Sequence, residues 1–142
     1  MYETVLLPTD GSDVAASSVE HAVDAATRED AVVHLLYVVD ESVANAAPGL
    51  AMGEVNQELR DEGERALAEL ADELEAAGVE TETALREGGP DEEILGYIDE
   101  FDVDLVVMGS TGKTVTERDR VGSVTDTLVR KAQVPVLSVP GE

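Results

Sequence analysis

The sequence predicts an α/β fold, an open five-stranded parallel sheet with helices on both faces. Two observations predict it. Short apolar runs alternate strictly with helical patterns along the chain, giving five strands and four helices. The run Ala31 to Val39 (AVVHLLYVV) is apolar on both faces, as strands are when helices cover a parallel sheet on both sides.

The elements follow in order. Val5-Leu6-Leu7 is a short first strand, ended by Pro8-Thr9-Asp10-Gly11-Ser12. Ser12 or Asp13 caps a helix with apolar positions at Val14, Ala15, Val19, Ala22, Val23 and Ala26. Ala31 to Val39 is the second strand. Glu41 to Gly53 has no periodic pattern and reads as a long loop that could act as a lid. Glu54 to Ala77 reads as an amphipathic helix with the stripe Val55, Leu59, Ala66, Leu67, Leu70, Leu74 and Ala77, and Gly78 terminates it. Val79 to Glu87 alternates and reads as a third, edge strand. Gly88-Gly89-Pro90 turns the chain into a helix over Asp91 to Glu100. Asp104 to Met108 is strand four, Ser123 to Ala132 a last helix, and Val136 to Val139 a last strand between Pro135 and Pro140.

A chain of 142 residues reads as one domain, 1–142, long enough to bury a core without disulfides or metals. It has no cysteine, which excludes structural disulfides, Cys-ligated zinc and thiol catalysis. Two histidines, His21 and His34, do not make a histidine-rich metal site. The longest apolar runs are strand-length, and no segment has a signal-peptide layout. The expectation is a soluble, intracellular, cytoplasmic protein that does not engage membranes.

The charge is extreme, 32 acidic residues against 9 basic, net −23. The acids are spread over helix faces and do not form a tail, which suggests a folded protein adapted to very high salt, where self-repulsion is screened. Such a charge argues against a nucleic-acid partner. Five of the nine basic residues, Lys113, Arg118, Arg120, Arg130 and Lys131, fall in one short stretch. Arg130 and Lys131 suit the end of a helix. Lys113, Arg118 and Arg120 either serve an anionic ligand or pair with Glu117 and Asp119.

Lys113, Arg118 and Arg120 lie in the most informative segment, Met108 to Thr125 (MGSTGKTVTERDRVGSVT), in which the glycines are spaced Gly109-x2-Gly112-x9-Gly122-Ser123. Glycines at the carboxyl end of a strand let backbone N–H groups approach a phosphate, and a helix N-terminus just beyond adds a favourable dipole. Gly122 and Ser123 fall at that helix start, and Ser123 and Thr125 add hydroxyl donors. Three familiar motifs fail. A P-loop would need glycine where Val107 stands, the Gly-x-Gly-x-x-Gly fingerprint is absent after strand one, and strand three does not end on a phosphoacceptor aspartate. Plainer roles stay open. Asp10 and Ser12 either cap the first helix or meet a ligand, Gly109 turns the chain or contacts one, and Ser123 is an N-cap that can also face phosphate. His21 reads as a surface residue, His34 as structural, Tyr37 as core and Tyr97 as helix packing.

The chain resembles the universal stress protein family in its ATP-binding branch. The resemblance spans the whole chain and rests on VLLPTDGS, LLYVVD, VVMGSTGKT, the full glycine spacing and the ending VPVLSVP. It implies a Rossmann-like, adenine nucleotide alpha hydrolase-like sheet of order 3-2-1-4-5. It implies that Pro8, Thr9 and Asp10 line the adenosine end, with Asp10 near the ribose. The backbone of Val38 would meet the adenine edge, and Met108 and Gly109 would flank the ribose. Gly112, Lys113, Gly122, Ser123, Val124 and Thr125 would surround the triphosphate. ATP with Mg²⁺ is the implied cofactor, the metal held mainly by phosphates and offsetting Glu117 and Asp119, with Asp10 assisting through water. A homodimer built on Val136 to Val139 is also implied. The expected role is a nucleotide-dependent regulatory module in stress response. The alternatives are a slow ATPase or phosphoryl-transfer enzyme using Lys113, Arg118 or Arg120 with Asp10 or Glu117, and a dimeric adaptor without nucleotide.

The dispersed acidic surface makes one direct prediction. The melting temperature is expected to fall as salt is lowered from molar to dilute buffer, and a salt-independent melting curve would contradict the salt-adapted reading.

Overall fold

The computed structural model describes residues 2–9, 18–40, 52–109 and 123–139. In chain order the elements are β1 (Thr4–Thr9), α1 (Val19–Glu29), β2 (Val32–Asp40), α2 (Met52–Ala76), β3 (Thr81–Gly88), α3 (Pro90–Glu100), β4 (Leu105–Gly109), α4 (Ser123–Lys131) and β5 (Val136–Val139). The strands form one sheet in the order β3-β2-β1-β4-β5, and every pairing is parallel. This is the expected fold and order, with β3 and β5 at the two edges. The start expected for the first helix, with Val14 and Ala15, lies outside the described residues, as do 41–51 of the expected loop. The second helix begins at Met52, two residues before Glu54, and Ala77 is an exposed residue just past its end.

The crossovers explain how the helices divide. A parallel crossover is right-handed in nearly all cases. The chain moves from β1 outward to β2 and β3, then returns past β1 to β4 and β5. The first two crossover helices therefore cover one face and the last two cover the other. One core layer packs Val5, Leu7, Val33, Leu35, Tyr37, Val39 and Val107 against Ala22 and Ala26 of α1 and Leu67, Leu70 and Leu74 of α2. The opposite layer packs Leu6, Leu36, Val106 and Met108 against Ile94, Tyr97 and Ile98 of α3 and Leu128 of α4. Adjacent residues of each strand thus feed opposite layers, which is why the central strands read as continuous apolar runs.

Three helix ends share one device. Asp30, Gly78 and Asp102 each adopt a left-handed backbone, at φ 55°, 82° and 51°. The next residue then donates back into the last turn: Ala31 to the Ala26 carbonyl, Val79 to Leu74 and Val103 to Ile98, each at 3.0 Å. This is the Schellman arrangement, which satisfies carbonyls that would otherwise be orphaned. The donating residues Ala31, Val79 and Val103 are all buried, so each cap also steers the chain into the next strand. Asp104 then fixes the amino end of the sheet, its Oδ2 accepting from the N–H groups of Glu3 (2.8 Å) and Thr4 (3.0 Å). Among the described residues no helix is long and apolar enough to cross a membrane.

Helix α2 lies close against the sheet at Gly63. A Cβ there would lie 2.6 Å from the ring of buried Tyr37 and 3.0 Å from Leu85. Gly96 of α3, by contrast, faces open space. Alanine normally stabilises a helix interior by about 0.5–1 kcal/mol over glycine, and Gly96→Ala is expected to do so in thermal denaturation at fixed salt. Gly63→Ala is expected to reverse the sign and cost about 1–3 kcal/mol, the range for overpacking a core.

Candidate functional site

Strand order reverses between β1 and β4, whose neighbours continue in opposite directions. Parallel α/β sheets present a crevice at such a point, beyond the carboxyl ends of the strands. Pro8 and Thr9 end β1, and Met108 and Gly109 end β4. Ser123, Val124 and Thr125 form the first turn of α4. Val38 lies near the carboxyl end of β2. The fold therefore brings these expected residues to one edge of the sheet. Asp10, Gly112, Lys113 and Gly122 lie outside the described residues, as do Arg118, Arg120, Glu117 and Asp119. The side chain of Ser123 lies outside them too.

The described residues do different work from one another. Met108 is buried among the α3 and α4 side chains, so only its backbone faces the edge. Val124 is half-buried against the same layer. In β2, Val32 donates to the Glu3 carbonyl of the β1 side, so by alternation Val38 also turns its N–H and C=O toward β1. Among the described residues the last pair with β1 is Thr9↔Tyr37, one position before Val38.

Thr125 is the residue with the most specific contact. It is 3% exposed, and its Oγ1 donates to the Gly109 carbonyl at 2.9 Å across sixteen positions. A hydroxyl has one proton to give. In this arrangement Thr125 gives it to the Gly109 carbonyl. What the bond does is join the two ends of the glycine motif, the end of β4 to the start of α4.

The aromatic and histidine residues gather elsewhere. His34 lies toward the amino end of β2, at the opposite end of the sheet. Its Nδ1 is 2.6 Å from the Tyr97 hydroxyl, Phe101 stacks beside both rings, and Arg86 sits 5.3 Å above Tyr97 while pairing with Glu100 at 3.1 Å. Burial lowers the His34 pKa, against a smaller opposing pull from Glu82. Burial raises that of Tyr97, with Arg86 opposing it. Both groups are held neutral near pH 7 and serve as packing between sheet and α3. His21 is exposed on α1. Among the described residues no group of three acidic or histidine side chains could hold a metal. Arg130 pairs with Asp126 one turn away at 3.3 Å, and with Lys131 it occupies the last turn of α4, where cations suit the helix dipole.

The pattern of the universal stress protein family matches residues 1–140. A universal stress protein of Methanocaldococcus jannaschii is 39% identical over 140 residues, 98% of this chain and 82% of that protein. A second from the same organism is 31% identical over 154 residues. Its solved structure superposes with a TM-score of 0.91 at 32% identity, covering 100% of this chain and 98% of that one. A universal stress protein solved in complex with cAMP superposes with a TM-score of 0.72 at 26% identity, covering 98% and 97% of the two chains.

The Thr125–Gly109 bond makes the site's own prediction. Thr125→Val keeps the shape but strips the donor from a half-buried carbonyl, and is expected to cost about 0.5–1.5 kcal/mol in thermal or denaturant unfolding. Thr125→Ser is expected to retain most of that stability.

Proposed function

We propose that the chain, which belongs to the universal stress protein family, is a one-domain, adenine-nucleotide-binding regulatory protein that takes ATP with Mg²⁺ in the crevice between β1 and β4. The observation that carries this reading is the closed base of the glycine motif. Thr125 ties α4 to Gly109, so the whole span from Gly109 to Ser123 leaves and re-enters the structure at the strand-order reversal. That is where a parallel α/β sheet receives a ligand and where the N-terminus of α4 offers its dipole. The relative solved with cAMP supports an adenine nucleotide as the ligand class.

Within this reading Pro8, Thr9 and Asp10 lie at the adenosine end, and the Val38 backbone meets the adenine edge. Met108 contributes backbone beside Gly109 at the ribose. Gly112, Lys113, Gly122, Ser123 and Val124 surround the phosphates, and Thr125 holds their frame closed. Lys113, Arg118 and Arg120 supply the positive charge that the paired surface arginines do not. Arg60, for example, is already held by Glu87 through two bonds of 2.9 and 3.1 Å. Binding, and not rapid chemistry, is the proposed activity, in the cytoplasm. The proposed assembly is a homodimer through β5. Its Val136 and Ser138 turn their backbone groups outward at the sheet edge, and Leu137 is 40% exposed.

Isothermal titration of ATP with Mg²⁺ into the protein at high salt tests the reading. Saturable binding is expected, together with loss of affinity of at least about tenfold in Gly122→Val, whose side chain would crowd the approach of phosphate to backbone. Absence of binding in the unsubstituted protein, or equal affinity in the variant, would refute it.

A further inference from the structure

The two edges of the sheet are unlike. β5 is four residues long and stands between Pro135 and Pro140. β3 is eight residues long, contains neither lysine nor proline, and pairs with β2 through eight consecutive positions without a bulge. Its charges stand at Glu82, Arg86 and Glu87, and the last two are already paired, with Glu100 and Arg60. Natural edge strands are normally kept from recruiting another chain by shortness, lysine, proline, bulges or a covering element. β3 uses few of these devices.

Alternation decides which of its backbone groups are left over. Val33 donates to the Glu80 carbonyl at 2.9 Å, so Glu80 and the even residues of β3 turn their backbone groups toward β2. Thr81, Thr83, Leu85 and Glu87 turn theirs outward, and among the described residues no strand lies beyond them. In the amino half of β3 these outward groups border an open cavity of about 440 Å³ between the strand and α2.

The walls of that cavity decide what suits it. Leu67 and Ala71 give it an apolar floor, with Ala68 exposed beside them. Glu64, Asp72 and Glu75 stand around it on the same helix. Among the described residues no salt bridge engages these three acids, and Glu75 accepts from the Thr81 hydroxyl at 2.9 Å. A strand laid along β3 would turn alternate side chains toward this wall. Long cationic side chains suit it, since their stems pack over small alanines while their heads reach carboxylates. A second copy does not suit it, because it would bring its own three acids on a chain of net charge −23.

We propose that the amino half of β3 and the adjoining face of α2 form a docking edge for a basic, extended segment of a partner protein, which adds to the sheet as a sixth strand. Backbone bonds to Thr81, Thr83 and Leu85 give the grip, and lysine or arginine at alternate positions gives the selection. The edge is separate from the crevice between β1 and β4 and does not depend on the nucleotide reading.

The probe is a capped heptapeptide of alternating lysine and valine with lysine at both ends. It is added to the full chain at the lowest salt that keeps the protein folded, with amide exchange followed by NMR. In the free protein the amides of Thr81, Thr83 and Leu85 are expected to exchange freely, while β2 protects those of Glu82 and Ala84. The peptide is expected to slow the first set saturably and to leave the second unchanged. A heptapeptide with glutamate in place of lysine is expected not to bind. Thr83→Pro removes an outward donor without touching the ladder to β2, and Ala68→Leu fills the groove from a helix position that accepts leucine. Each variant is expected to weaken binding at least about tenfold with the melting temperature little changed. Should Thr83→Pro fail to fold, Ala68→Leu decides. Shifts scattered over the acidic surface without slowing at β3, or unchanged affinity in Ala68→Leu, would overturn the proposal. So would concentration-dependent slowing of the same amides without peptide, which would give the edge to a second copy.

Discussion

The two sides of β1 are used unequally, and that inequality organises the molecule. Six residue pairs tie β1 to β2, and two tie it to β4. The long ladder makes β1 and β2 a single unit on which β3 is added. Pro8 has no N–H for the next rung toward β4, and near the amino ends of the strands Asp104 holds the N–H groups of Glu3 and Thr4. The candidate site residues of β1, β2, β4 and α4 lie at the opposite, carboxyl ends of the strands.

The amino end of the sheet is built from repeated local rules. Helices α1, α2 and α3 each end on a left-handed residue followed by a buried one, which delivers the chain to the next strand at a fixed angle. Two of the three left-handed positions are Asp, whose short polar side chain tolerates that conformation. A chain of net charge −23 can use acids even there. The surface ion pairs are mostly exposed and contribute little individually. Stability must come chiefly from the two apolar layers, and the acids are accommodated around them.

The strands were legible because short apolar runs bounded by Gly, Pro and Asp allow few other readings. The edge position of β3 was legible from its alternation, and the strand order from the family likeness. What escaped the sequence was non-local. Gly63 passes for an ordinary helix residue until Tyr37 is seen against it. Asp104 is a hundred positions from the amides it caps. Thr125 looked like one more hydroxyl for phosphate, since nothing in the chain's order announces a carbonyl partner sixteen residues back.

The joined base of the glycine motif has a consequence in polymer terms. Bringing the ends of a flexible segment together costs entropy that grows with the logarithm of its length. Here that closure is already made within the folded chain, by one hydroxyl and the first turn of α4, so a ligand does not have to supply it. The positions on which that closure depends are Gly109 and Thr125, so chains built on this plan are expected to keep a hydroxyl at the second to hold the carbonyl of the first.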